Sequence, residues 1–263
     1  MHSAEGADDG AAPPPAGAGL RLAAVLAHPD DESRIVGGTL ALYASRGARV
    51  SFYCATRGEA GDPSLPPERV GRLRERELRA ACRILGVTTL RLGHFPDGGL
   101  DRVDPDDVVG DMVGFLRAEQ PHVVVTFGPD GRTGHPDHIA VGALAEIAFD
   151  QVGDALAFPA QLAQRIPAWQ PVRLYHTAVA RSVASRIGWR HPSLPDNDLV
   201  AVDVSEVLDR KCRAAVEAHA SQWALSPFNL AAGWGPFAVE HFRPLRPCAP
   251  SGEDAADLFS GLW

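Results

Sequence analysis

One imidazole and three carboxylates fall within five consecutive positions of this chain: His28, Asp30, Asp31 and Glu32, in the stretch AHPDDE. Carboxylates this close repel one another, and withdrawing them from water costs several kcal/mol each unless a positive charge answers them. A second cluster, GHPDH, carries His135, Asp137 and His138. The first cluster contains a His-x-x-carboxylate pair, His28 with Asp31, and the second a His-x-x-His pair, His135 with His138. Nitrogen and carboxylate donors without a thiolate suit Zn2+ held by three protein ligands with one position open, and Fe2+, Mn2+ or Co2+ fit the same donors. Such a metal lowers the pKa of a bound water to about 7 and polarises a carbonyl, which is hydrolytic chemistry. The remaining carboxylate of the first cluster, Asp30, stands where a general base is needed, and Glu32 has no role legible from its position. Taken singly these residues have a plainer reading, since HPD resembles a turn and Asp30, Asp31 or Asp137 could cap a following helix. Two clusters together favour metal.

Something must bring the clusters to one place. The stretch 20–27 is continuously apolar, as in a strand buried on both faces, and further strands are expected over 48–56, 88–93, 121–128, 172–180 and 199–207. Helical patterns fall between them: 37–47 stopped by Gly47, 66–86 with Pro67 in its first turn, 104–120 with acids in its first turn, 135–150 and 207–222. This alternation predicts an α/β fold with a mostly parallel, Rossmann-like sheet and helices on both faces. Ligands of such sheets sit beyond the carboxyl ends of the strands, where both clusters lie. Arg57 and Glu59, His94 and Asp97, and Asp130 end other strands and should share that rim. Neither GxGxxG nor GxxxxGK[ST] is present, so a dinucleotide or nucleotide-phosphate cradle is disfavoured. The Arg-rich helix 69–83 interleaves Glu68, Glu75 and Glu77 and reads as a solvated, salt-bridged face with one Arg turned to the crevice. Of the other histidines, His94, His122, His176, His191, His219 and His241 read singly as structural, and the aromatic residues of the C-terminal third as core or rim packing.

The bulk composition restricts the partners. A formal charge of −8 argues against nucleic-acid binding, which needs a basic face. Positive charge is almost all Arg, with Lys211 the single Lys. The four cysteines form no CxxC pair and read as reduced thiols of a cytoplasmic protein. No apolar run reaches membrane-spanning length. Residues 1–19, rich in Ala, Gly and Pro, read as a disordered leader without the features of a secretory signal, and 20–263 as a single domain. The Pro-rich stretch 150–200 is the expected specificity region. A homo-oligomer is left open.

AHPDDE followed by GHPDH resembles the LmbE/PIG-L family of zinc-dependent, N-acetylglucosaminyl deacetylase-like enzymes. The resemblance covers residues 20–150, including TRGEAGD, RERELRAACRILGV and FPDGGL, and extends weakly through AHASQW and EHF. It implies removal of an acetyl group from an N-acetylglucosamine-type sugar or sugar conjugate. Cleavage of a larger thiol or natural-product amide is the alternative within the same chemistry, and a non-catalytic zinc-stabilised binding module the alternative outside it. By this resemblance His28, Asp31 and His138 are the metal ligands and Asp30 the general base. His135 is the general acid or the electrophile that steadies the oxyanion, with Asp137 as its orienting partner. Arg74 and Asp97 fall where the family grips sugar hydroxyls, and Glu59 is expected along the pocket. One position departs: thiol-precursor deacetylases of the family carry a Tyr where this chain has Thr133.

Overall fold

The apolar run after Leu20 forms the middle of a single sheet. In a computed structural model describing residues 19–163, 167–223, 233–246 and 257–262, Leu22 to Leu26 have no exposed surface. The leader expected over 1–19 lies outside the described residues except for Gly19. The strands are β1 (Arg21–Leu26), β2 (Arg49–Thr56), β3 (Thr89–Phe95), β4 (Val123–Phe127), β5 (Arg173–Ala178), β6 (Val200–Asp203) and β7 (Val239–Arg246). They lie in the order β3-β2-β1-β4-β5-β7-β6. The first five are parallel, with Leu22 beside both Val50 and Val123. The predicted α/β, mostly parallel fold is what the structure has.

β7 was not among the expected strands. It inserts antiparallel between β5 and β6, and Pro244 lies within it at a register shift against Tyr175. A proline removes a ladder donor and breaks the strand pattern in the sequence. The reversal has a consequence for the site: the start of β7, His241 beside Ala178, lies at the carboxyl end of β5. Residues just before β7 therefore reach the same rim as the loops after the parallel strands.

The helices are α1 (Asp31–Ile35), α2 (Gly37–Ser45), α3 (Pro67–Leu85), α4 (Pro105–Glu119), α5 (Gly131–Gly134), α6 (Pro136–Gln151), α7 (Pro159–Ala163), α8 (Arg181–Ile187), α9 (Leu208–Arg213) and α10 (Ala220–Trp223). α3 begins on Pro67 and ends at Gly86, whose φ of 82° gives the left-handed stop. Val70, Leu78, Ala81, Cys82 and Leu85 bury one face of it. The opposite face pairs Arg79 with Glu75 at 2.8 Å in solvent, while Arg74 is turned inward as expected. The late helix expected over 207–222 is instead split: a π-helical turn, Ala214–Ala218, separates α9 from α10 and puts His219 in the core.

Chain connections leave β1 towards β2 and β3 on one side and reach β4 and β5 on the other. The gap between β1 and β4 is the point where the strand order reverses, and clefts of open parallel sheets form there. Among the described residues no helix is long and apolar enough to cross a membrane. Cys54, Cys82 and Cys212 are free thiols.

Candidate active site

The chain turns sharply on leaving β1. Asp31 closes the turn by accepting from the N–H groups of Ala27 (3.2 Å) and His28 (2.8 Å). Asp30, at the N-cap position of α1, has φ 117° and makes no capping bond with its side chain. A non-glycine residue in that region is strained by about 1–3 kcal/mol and persists only where its surroundings enforce it. Here Glu32 enforces it, accepting from the Asp30 N–H at 3.0 Å, and Arg34 and Arg74 flank the carboxylate at 3.5 and 3.6 Å. Glu32 is fully buried, and its other oxygen meets Nε2 of the equally buried His219 at 2.6 Å. Burial pushes Glu32 up, but the His219 charge and hydrogen bond outweigh it and hold it below the usual range; His219 is raised in turn, against its own burial, by Glu32. Glu32, which has no role legible in the sequence, and His219, which reads there as structural, thus form an ion pair beneath Asp30.

β4 delivers the second cluster. His135 caps α6, its Nδ1 accepting from the Asp137 N–H at 3.2 Å, and His138 stacks on Phe127 with centroids 4.0 Å apart. Nδ1 of His28 then lies 3.1 Å from Nε2 of His138, and the Asp31 carboxylate lies 3.7 Å from the former and 3.5 Å from the latter. A tetrahedral ion with ligands at about 2.0–2.2 Å holds them about 3.3–3.6 Å apart. The far ring nitrogens are anchored: His138 Nδ1 meets the Gly131 carbonyl at 3.1 Å, and His28 Nε2 meets Asp97 and Asp137, each at 3.1 Å. Outer N–H groups held by acceptors turn the inner lone pairs towards a common point, the arrangement that orients metal-binding histidines. A divalent cation therefore fits the His28, Asp31 and His138 donors. His135 brings a further ring nitrogen within 4.8 Å of those of His28 and His138.

One expected pairing is not present. The Asp137 carboxylate does not orient His135; it holds His28 and accepts from the N–H groups of Gly98 (2.6 Å) and Leu100 (3.1 Å). Only the Asp137 backbone reaches His135, because the first turn of α6 aims the side chain back over β1. Although burial pulls His28 down, Asp137, Asp97 and Asp31 together push it up to about 10. Those hydrogen bonds pull Asp137 down to about 2 in spite of its own burial. Burial and the two neighbouring imidazoles hold His135 below its ordinary value, which favours the neutral ring. With Nδ1 accepting, the neutral ring carries its proton on Nε2. Burial, only partly offset by Arg34 and Arg74, raises Asp30.

A cavity of about 430 Å³ opens over these groups. Arg74 and Asp97 line it; the Arg74 guanidinium donates to the carbonyls of Pro29 (2.6 Å) and Gly58 (2.9 Å). Gly58 and Gly61 of TRGEAGD leave the space that guanidinium fills, since a Cβ on either would strike it. Glu59 is not among the lining residues; it accepts from the Asp97 N–H at 2.9 Å and so positions Asp97. Thr133 is in the wall, and no tyrosine is: Tyr43, Tyr53 and Tyr175 are buried elsewhere, bonded to Asp257, Asp111 and the Leu258 carbonyl. Sequence reasoning missed Arg34, Arg132, Trp189, Trp234 and Phe237 in the wall, because lone Arg and aromatic residues carry no spacing signal. Among the described residues of the stretch 150–200, only Trp189 contributes. Residues 152–161 are tied to α4, where Arg117 donates to the carbonyls of Val152 (3.0 Å), Asp154 (2.7 Å) and Ala157 (2.9 Å). That loop joins the end of α6 to the start of β5, the sheet edge opposite the rim.

Residues 23–149 match the family described as PIG-L, GlcNAc-PI de-N-acetylase. A 1D-myo-inositol 2-acetamido-2-deoxy-alpha-D-glucopyranoside deacetylase of Rhodococcus jostii (strain RHA1) is 34% identical over 92% of this chain and 98% of the relative. The enzyme of that name from Rhodococcus opacus (strain B4) is 35% identical over the same shares. Among solved structures, an N,N'-diacetylchitobiose deacetylase from Pyrococcus horikoshii superimposes with a TM-score of 0.68, covering 88% of this chain and 85% of its own, at 22% identity. At that identity the likeness speaks for the fold alone.

Proposed function

The chain belongs to the PIG-L family, and from that premise we propose that it hydrolyses the acetamide of an N-acetylglucosamine-type sugar conjugate, using a divalent cation held by His28, Asp31 and His138. The observation that carries this reading is the convergence of three anchored donors, 3.1–3.7 Å apart, beside a strained, half-buried Asp30. When bound, such a cation supplies the Lewis acidity that polarises an amide carbonyl and acidifies water. Zn2+ is the ion proposed.

Asp30 accepts the proton of the attacking water. Its upward-shifted pKa brings it nearer the operating pH, where a general base is most effective. The Nε2–H of neutral His135 donates a hydrogen bond to the carbonyl oxygen as negative charge develops there, and the proton that Asp30 took from the water passes on to the departing amine. Asp137 and Asp97 hold His28 in register, and Glu32 with His219 holds Asp30. Arg74 and Asp97 form the wall on the β2–β3 side for sugar hydroxyls, with Glu59 supporting Asp97.

The test is amine release from methyl N-acetylglucosaminide and from N-acetylglucosaminyl-inositol by the purified, Zn2+-loaded protein. Equimolar free amine and acetate are expected. Absence of amine from these and from a wider panel of N-acetylated sugars overturns the reading.

A further inference from the structure

Arg132 has a backbone that suits glycine and a guanidinium without a hydrogen-bond or ion-pair partner among the described residues. Its φ is 64° and ψ −44°, while Asp130 accepts from its N–H at 3.2 Å and so holds the turn. Such strain in a residue lining a ligand cavity points to a role for the side chain. Three arginines line the cavity, and two are engaged. Arg74 binds two carbonyls, and Arg34 binds the Gln222 carbonyl (3.3 Å) and flanks Asp30 (3.5 Å). The Arg132 guanidinium has no hydrogen-bond acceptor or ion-pair partner among the described residues; it lies over the Trp189 ring, 5.9 Å from its centroid.

The acids that act on Arg132 from a distance, Glu240, Asp31 and Asp130, are already committed. Glu240 pairs with Lys211 at 2.7 Å and accepts from the Gly38 and Thr39 N–H groups at 2.8 Å. Asp31 faces His28 and His138, and Asp130 accepts from the Arg132 backbone. Among the described residues the cavity wall thus keeps a planar, five-donor cation without a direct partner, whose geometry matches a carboxylate or phosphate. Strand order gives its side of the site. Asp97, Ala60 and Gly61 follow β3 and β2; Arg132, Trp189 and Phe237 lie by β4, β5 and β7. A sugar on the β2–β3 wall therefore presents its aglycone to Arg132 across the metal donors.

Building on the N-deacetylase reading, we propose that Arg132 selects substrates whose aglycone carries an anionic group, a carboxylate or a phosphate, and pairs with it while Trp189 backs the guanidinium. Glycosides with a neutral aglycone are the poorer substrates of this chain.

The experiment compares kcat/KM of wild type and Arg132→Gln on methyl N-acetylglucosaminide, carboxymethyl N-acetylglucosaminide, N-acetylglucosamine 1-phosphate and methyl N-succinylglucosaminide. Affinities of the four are measured in parallel by calorimetry on Asp30→Asn protein with and without Arg132→Gln. A charge-assisted, bidentate pair predicts a preference for one or both anionic aglycones of about 10- to 100-fold, lost in the variant. No preference, or one that Arg132→Gln keeps, overturns the proposal. A preference for the succinyl sugar, lost in the variant, overturns the aglycone assignment. If wild type turns over none of the four, the deacetylase reading fails, and the calorimetric comparison alone decides whether Arg132 reads an anion.

Discussion

Glu32 and His219, 187 residues apart, meet at 2.6 Å directly beneath the turn that carries Asp30. The pair ties the strained N–H of Asp30 to a π-helical turn near the end of the chain, and Glu77 of α3 secures the next residues by accepting from Ser221 N–H (2.9 Å) and Oγ (2.7 Å). His219→Gln leaves Glu32 as an uncompensated buried charge, for which a cost of about 3 kcal/mol is expected. Chemical denaturation at several pH values checks it, and the sign is definite. His219 has a raised folded pKa, so its contribution is complete below the unfolded value of about 6.5 and is lost as pH rises through the folded one. Glu32 is lowered, so its contribution is lost only as pH falls below the ordinary carboxyl range. The margin of wild type over the variant is therefore widest between roughly pH 4.5 and 6.5 and narrows in alkali. A margin that widens above pH 8 contradicts the pairing. Turnover of the variant should fall in kcat more than in KM, because Asp30, not substrate, loses its support.

Asp30 and the metal donors separate by what they hold. Asp30→Asn should bind one Zn2+ per chain while losing about 10²–10⁴ in kcat. His138→Ala should lose the metal itself. Metal content by elemental analysis beside steady-state rates distinguishes them, and an Asp30→Asn protein of undiminished rate refutes the base assignment.

Chelation should abolish turnover without unfolding the chain. The sheet core is closed by Leu22 to Leu26 and their neighbours, independently of the donors at its rim. Far-ultraviolet circular dichroism of the chelated protein is expected to match that of the loaded one, and loss of the folded signal would mean a structural metal.

Gly61→Ala should disturb Arg74. The added Cβ strikes a guanidinium anchored by two carbonyls, which must release the Pro29 or Gly58 carbonyl to move. A fall in kcat/KM of about tenfold is expected, consistent with one charged hydrogen bond worth about 1.5 kcal/mol. Arg74→Lys should reproduce it, since an ammonium cannot span both carbonyls. Full activity in both variants rules out this use of the two glycines.

Arg132→Gly should stabilise the fold. Removing a left-handed non-glycine residue recovers about 1–2 kcal/mol, and the added freedom of glycine in the unfolded chain returns about 0.5–1 kcal/mol. A net gain of about 1 kcal/mol in denaturant titrations is expected. Destabilisation would show that the Trp189 contact outweighs the strain.

Much of this protein was determined by its sequence alone. Alternation of apolar runs and amphipathic stretches implied the parallel sheet, and local motifs implied two donor clusters, because both signals are periodic or contiguous in the chain. The turn at Asp31 is local too, built from N–H groups three and four residues away. Other features had no local signal. β7 is interrupted by Pro244 and pairs with strands far from it in sequence. Asp137 proved to hold His28 and not its neighbour His135, since the helical first turn, not chain proximity, sets where a side chain points. Glu32 acquired a role only when a distant histidine was buried against it. Arg132 became distinct from the other arginines only when their acceptors, and its own lack of one, could be seen. Pairing partners, burial and unspent charge belong to tertiary packing, because each depends on which distant residues exclude water from a given group.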